Sequence, residues 1–235
     1  MEAWYLNAIA VDTTTCCYFL YLEIFMSSIL KKPPQVITHY IGDVDGPPFL
    51  KIRHLRCKLE YPNGDISEEF THDVITRKSM DACVICAYDL SEENNPRIWL
   101  RSCIRIAVAA RKPFPNAVGC GWELPAGLID GDEDPVNASI RELEEEVGID
   151  APITSIYKLG EPVWGSVGLA GERLFYYAVD VTGIPVGKPS EDGTPQERNG
   201  ECILVPLDEA LGVGDMKTEV GVLRLKNHFT KVNNV

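Results

Sequence analysis

Residues Gly127 to Ile149 read GLIDGDEDPVNASIRELEEEVGI, a stretch with eight acidic side chains, one basic side chain and three consecutive glutamates, Glu144, Glu145 and Glu146. Asp134 is a good N-cap, Pro135 suits the first helical position, and Gly148 is a natural residue to end a helix in the left-handed conformation. Between them Val136, Ile140, Leu143 and Val147 recur at spacings of four, three and four, which predicts a helix with one apolar face. Glu142 and Glu146 stand four apart on a stripe beside that face, and like charges so placed weaken a bare helix by about 0.2–0.5 kcal/mol. Glutamates in the last turn also face the negative end of the helix dipole, at a cost of roughly 0.3–1 kcal/mol each. A solvated charged face is the ordinary explanation of such a run. Two local rules broken together point instead to a functional site, because a divalent cation among the carboxylates reverses the sign of both penalties.

The spacing of this stretch resembles the Nudix hydrolase signature at all nine fixed positions: Gly127, Glu133, Arg141, Glu142, Leu143, Glu145, Glu146, Gly148 and Ile149. The resemblance implies an α/β class Nudix fold, an α/β/α sandwich around a mixed sheet. It implies hydrolysis of a diphosphate linked to some other moiety. It also implies two or three divalent ions, Mg²⁺ or Mn²⁺, held by Glu142, Glu145 and Glu146. Gly127, Glu133, Arg141 and Gly148 are then structural, locking the loop and helix that aim the ligands. Such ions would bridge the diphosphate oxygens, polarise phosphorus and acidify a bound water. Position and electrostatics supply most of the acceleration in phosphoryl transfer.

The flanks of the signature resemble the ADP-ribose and nucleoside diphosphate sugar diphosphatases of that family. The segment CGWELPAGLID, residues 120–130, is similar to their E-x-P-A-G entry, which carries Glu123 over as a substrate residue and the backbone carbonyl of Ala126 as a metal ligand. Magnesium favours octahedral oxygen donors and keeps waters, so this set is plausible chemistry for it. Arg105 stands where that branch has a substrate arginine, although Ile106 replaces the proline that follows it; a surface or ion-pair role is the alternative. The segment VWGSVGLAGER, residues 163–173, is similar to the segment where the ADP-ribose hydrolases carry S-P-G-[LYF]-S-D-E, with Gly168 in place, Val167 standing for the proline and Ala170-Gly171 for Ser-Asp, and to versions found in UDP-sugar diphosphatases. Trp164 there would stack on a base or sugar, or else belong to the core. A general base is carried over onto Glu201, just before the strand-like ECILV, with Glu197 as the runner-up.

The rest of the composition narrows the partners. The chain has 235 residues, a formal net charge of −13 and no Lys/Arg-rich run, so nucleic acid is not expected as a partner and an anionic small molecule needs a metal to meet it. The expected substrate is a nucleoside diphosphate sugar of the ADP-ribose, ADP-, UDP- or GDP-sugar type, split to a nucleoside monophosphate and a sugar phosphate. The alternative is a non-catalytic domain that binds a nucleotide and regulates a partner. Eight cysteines lie at irregular spacings. Cys83 and Cys86 sit in DACVICAYDL, a predicted buried strand whose i and i+3 side chains point to opposite faces, so they are read as core thiols rather than a zinc pair. Reduced thiols fit a cytoplasmic protein, and no membrane span or signal peptide is expected.

Residues 1–25 read as an extension outside the fold, or as a short helix or strand packed on the body. Residues 26–78 read as a small antiparallel β unit, with FLKIRHLRCKLEY and ISEEFTHDVITR joined by a PNGD turn. By resemblance this unit makes a homodimer and completes the partner's pocket; an edge sheet with no interface role is the alternative. Residues 79–235 are the expected hydrolase domain, beginning with strands in MDACVICAYDL and RIWLRSCIRIAVAAR. It closes with a packing helix that Asp215 caps.

Overall fold

The computed structural model describes residues 49–93, 95–109, 120–190, 193–196 and 200–233. The proposed extension over residues 1–25 and the residue Glu197 lie outside the described residues. The described chain opens with β1 (Lys51–Cys57) and β2 (Phe70–Thr76), which pair antiparallel with Lys51 opposite Thr76 and Cys57 opposite Phe70. Their connection turns at the Pro-Asn-Gly-Asp segment, where Gly64 takes a φ of 86° that a side chain would oppose. Exposed apolar side chains of this leading unit are Ile52 and Phe70 on the strands, Phe49 and Leu50 before them, and Leu59 and Ile66 in their connection.

A second, mixed sheet follows. Its strands are β3 (Ala82–Asp89), β4 (Arg97–Ile104), β5 (Cys120–Glu123), β6 (Ala126–Leu128), β7 (Ile156–Lys158), β8 (Val163–Trp164), β9 (Arg173–Asp180) and β10 (Cys202–Pro206). The order is β10-β4-β3-β9-β7, with β5 added on β4, β6 on β3 and β8 on β9. Among the described strand pairings of this sheet only β3–β9 is parallel, running from Ala82 opposite Leu174 to Tyr88 opposite Asp180. The sheet is joined by a helical turn, α1 (Ile106–Ala109), and by two longer helices, α2 (Pro135–Val147) and α3 (Met216–Asn233).

β3 explains the layering. Its residues from Ala82 to Tyr88 are all buried, as a strand covered on both faces requires. Cys83, Ile85 and Ala87 pack with Ala138, Leu143 and Val147 of α2. On the other face α3 approaches so closely that a Cβ at Gly221 would lie 2.5 Å from Leu124 and 3.0 Å from the Cys86 sulfur. The result is a helix–sheet–helix sandwich. Each large aliphatic side chain buried this way contributes roughly 1.5–3 kcal/mol. Cys83 and Cys86 therefore serve opposite layers. Burial pushes the Cys83 thiol up to about 11 and the Cys86 thiol higher still, so neither is a ready thiolate for metal or redox chemistry.

One sequence expectation is corrected here. The run RIWLRSCIRIAVAAR does not continue as a strand past Ile104. The amides of Val108 and Ala109 both turn back to the Arg105 carbonyl, at 2.9 and 3.1 Å, and wind Ile106–Ala109 into a helical turn. Apolar side chains with no alternation left that segment ambiguous between strand and helix.

Candidate active site

The glutamate-rich stretch folds as its caps dictate. Asp134 accepts the amide of Val136 at 2.9 Å and that of Asn137 at 3.4 Å, Pro135 opens α2, and Gly148 closes it at a φ of 79° with its amide returned to the Glu144 carbonyl. The glutamates are not a uniform solvated face. Glu144 points to water, Glu145 is half-buried, and Glu142 and Glu146 are buried at 9% and 6% exposure. Each buried carboxylate has a fitted seat. A Cβ at Gly127 would overlap the Glu142 carboxylate, so only glycine leaves that seat open. Glu146 accepts the Ala126 amide at 2.8 Å.

Arg141 holds the assembly from inside the helix. Its Nε and Nη2 donate to the two oxygens of Glu133 at 3.1 and 3.0 Å, its Nη2 also reaches the Leu128 carbonyl at 3.1 Å, and its Nη1 donates to Glu142 at 2.6 Å and Glu145 at 3.0 Å. A planar fork with five donors suits this role better than a lysine would. The guanidinium bound to Glu133 holds that carboxyl below its ordinary range, and the carboxylates in turn hold Arg141 protonated. No basic residue lies in the last turn of α2, but a buried one reaches it from the sheet. Arg101 of β4, 1% exposed, donates to the Glu146 backbone carbonyl at 2.8 Å, and the Cys202 thiol meets the same oxygen at 3.2 Å. An arginine inside the apolar run IWLRSCI was a signal that the sequence reading passed over in favour of Arg105.

The donor chemistry around α2 fits a divalent cation. Glu142, Glu145 and Glu146 offer hard oxygen ligands along one helix edge beside Ala126. Among the described residues no three His, Cys, Asp or Glu side chains converge as a metal cluster; Arg141 instead bridges Glu142 and Glu145.

Beside this edge opens a cavity of about 810 Å³, with Ala126, Gly127 and Leu128 in its wall. Arg105 and Glu123, which the sequence named, face it together as an ion pair. Lys217, at the start of α3, grips the other oxygen of Glu123. Across the cavity Arg77 pairs with Glu172, and Phe49 lies against the Arg77 guanidinium, 5.7 Å from its ring centre. Arg77, Glu172, Phe49 and Lys217 had no local sequence signature. The leading β unit thus lines the cavity of its own chain. It is tied there by the Ile75 amide, which bonds the Leu169 carbonyl at 2.9 Å.

Two other expected residues stand apart from that cavity. Trp164, 56% exposed, and Gly168 line a shallower groove of about 340 Å³ with His72, Val167 and Leu169, while Gly165 and Ser166 between them reach the main cavity. Glu201 is exposed at the start of β10, its amide bonded to Ser102 Oγ at 2.9 Å and its carbonyl to the Ser102 amide at 2.8 Å. Cys202 and Arg101 face each other across β10 and β4 and both reach Glu146. Strand alternation therefore turns Glu201 to the opposite side from Glu146.

Comparison with known proteins settles the family. A model described as the NUDIX domain matches residues 99–221, more than half of the chain. The chain belongs to the NUDIX domain family. Within this NUDIX protein, an RNA pyrophosphohydrolase from Acidiphilium cryptum (strain JF-5) is 46% identical over 61 residues, which cover 26% of the chain and 35% of that relative. A CMP-5'-(N-acetyl-N-hydroxy-3-aminopropyl)phosphonate hydrolase from Streptomyces rubellomurinus (strain ATCC 31215) is 36% identical over 90 residues, covering 38% of the chain and 40% of that relative. The chain thus spans between a third and two fifths of the length of these curated relatives. A crystal structure of an ADP compounds hydrolase superposes with a TM-score of 0.56 at 14% identity, over 83% of this chain and 100% of the other. At that identity the likeness concerns the fold alone. The NUDIX fold expected from the glutamate-rich stretch is the one observed, together with the small antiparallel sheet before it.

Proposed function

We propose that this NUDIX protein is a metal-dependent diphosphatase that splits nucleoside diphosphate sugars into a nucleoside monophosphate and a sugar phosphate. The observation that carries this reading is the cavity beside the α2 edge. Its charges come as paired cations and carboxylates, Arg105 and Lys217 with Glu123, and Arg77 with Glu172. The paired charges in the wall offer acceptors to sugar hydroxyls as well as donors to phosphate oxygens, and the net charge of −13 disfavours RNA.

Glu142, Glu145, Glu146 and the Ala126 carbonyl would hold Mg²⁺ or Mn²⁺, two or three ions in all. Bound there, such ions neutralise the diphosphate and acidify a water. The protein's own side chains do the rest. Arg141 and Glu133 keep the helix edge in register with Gly127. Arg105 and Glu123 orient the substrate. Water attacks one phosphorus, the bridging P–O bond breaks, and the water's proton passes to a carboxylate. Glu201 is assigned this base role with Glu197 second, and Glu201, turned from Glu146, must reorient its side chain to act. The exposed apolar side chains of the leading β unit, Ile52, Leu59, Ile66 and Phe70, support a homodimer formed through it. The buried free thiols and the lack, among the described residues, of a helix able to cross a membrane favour a reducing, cytoplasmic setting.

The test is a hydrolysis screen with Mg²⁺ over ADP-ribose, ADP-glucose, UDP-glucose and GDP-mannose, with 5'-triphosphorylated RNA and 8-oxo-dGTP for comparison. Turnover of at least one sugar substrate well above the last two is expected, with Glu201→Gln lowering kcat more than it raises KM. Turnover confined to RNA or 8-oxo-dGTP would refute the substrate class.

A further inference from the structure

The C-terminal helix enters the site at its first turn. Asp215 accepts the Thr218 amide at 3.0 Å and the Thr218 hydroxyl at 2.7 Å, and Thr218 Oγ in turn accepts the Leu124 amide at 2.9 Å. This latch fixes α3 to the residue that follows Glu123. Between the two anchors stands Lys217, its side chain 14% exposed and its ammonium on both Glu123 and Asp215 Oδ2, the latter at 3.0 Å. Glu123, 6% exposed, receives Arg105 on its other oxygen. One buried carboxylate therefore has two cations on it, and both cations line the 810 Å³ cavity.

Donor counting shows what this arrangement offers. An ammonium carries three N–H donors and a guanidinium five. Glu123 and Asp215 engage two donors of Lys217, and Glu123 engages Nη2 of Arg105, whose side chain is half exposed. The remaining donors of both cations suit a ligand rich in acceptor oxygens. With Asp215 counted beside Glu123, the two cations meet two carboxylates, so the cluster is close to neutral and offers a ligand hydrogen-bond donors, where the chain as a whole is acidic. Charge-assisted hydrogen bonds of this kind are the stronger ones a ligand can make.

We propose that Lys217, on the first turn of the C-terminal helix, is a ligand-binding residue of this cavity and receives, with Arg105, an anionic phosphoryl oxygen of a nucleoside diphosphate. The inference rests on the cavity being the substrate site of the diphosphatase proposed above. The competing account is that Lys217 serves only to neutralise Glu123.

The experiment measures equilibrium binding of ADP by calorimetry in the presence of EDTA, so that neither metal nor turnover enters. The full chain is compared with Lys217→Met, Lys217→Arg and the double variant Glu123→Gln/Lys217→Met, each checked for cooperative thermal unfolding. Lys217→Met is expected to weaken ADP at least about tenfold, Lys217→Arg to stay within about threefold, and the double variant to remain weak. With a sugar substrate that the wild type turns over, Lys217→Met should raise KM by a similar factor while kcat changes less. Three results would overturn the proposal: unchanged ADP affinity in folded Lys217→Met, recovery of wild-type affinity in the double variant, or no ADP binding by the wild type. Lys217-dependent ADP binding with no hydrolysis of any diphosphate would support this inference and reject the diphosphatase reading.

Discussion

The seat of Glu142 is set by what Gly127 lacks. The space a Cβ would fill is occupied by a carboxylate, so Gly127→Ala must push Glu142 aside. The displaced group is the far end of a flexible side chain, and the stability cost is expected to be no more than about 1–3 kcal/mol. Mg²⁺-dependent turnover should fall at least a hundredfold, because a displaced ligand no longer meets the ion. Kinetics and a thermal melt on the same variant separate the two effects. At this scale the sequence was informative where the chemistry is local. Glu142, Glu145, Glu146, Arg141 and Glu133 all lie within one loop and helix, and their mutual contacts follow from helical spacing. Arg77, Glu172 and Lys217 were not legible, because their partners stand across the fold; Lys217 meets a carboxylate 94 residues away. Glu201 illustrates the same limit, since its facing depends on the β10–β4 register.

Among the elements, α2 was the most readable. Asp134, Pro135 and Gly148 marked its ends by backbone chemistry alone, and each does in the structure what its residue type predicts. The strand through Cys83 and Cys86 was readable for a similar reason, since an unbroken apolar run of that length has to be covered on both faces. The helical turn after Arg105 was not, because four small and branched apolar residues carry no period. The α2 terminus also depends on a contact no local rule announces. Gly148 and Gly187 touch backbone to backbone, with the Gly187 amide 2.7 Å from the Gly148 carbonyl, and a Cβ at Gly148 would stand 2.6 Å from the Gly187 carbonyl oxygen. Gly148→Ala therefore combines left-handed strain with a backbone clash. A loss of about 2–5 kcal/mol is expected, seen as a Tm lowered by roughly 5–15 °C. An unchanged Tm would show that the loop around Gly187 yields freely and does not brace the helix.

For the molecule as a whole, the proposed metal edge answers the acidity of the chain: with 35 acidic and 22 basic residues, it would repel the proposed diphosphate substrate unless cations intervened. The remaining large-scale feature is the set of exposed apolar side chains on the leading β unit, Ile52 at 64% and Ile66 at 67% exposure among them. Exposed apolar side chains gathered on one unit mark interfaces. Light scattering is expected to give twice the mass of one chain, and Ile52→Glu together with Ile66→Glu to shift it toward a monomer. A wild-type monomer at all concentrations would remove the dimer.

The central claim is that the edge of α2 binds divalent cations through buried carboxylates, and Glu146→Gln tests it most directly. The glutamine carbonyl can still accept the Ala126 amide that Glu146 accepts at 2.8 Å, so the fold and its Tm should persist while one ligand charge is lost. Mn²⁺ binding, counted by calorimetry beside hydrolysis in saturating Mg²⁺, is expected to weaken sharply in the variant, with turnover down by at least a thousandfold. Wild-type Mn²⁺ affinity together with wild-type turnover in Glu146→Gln would contradict the account.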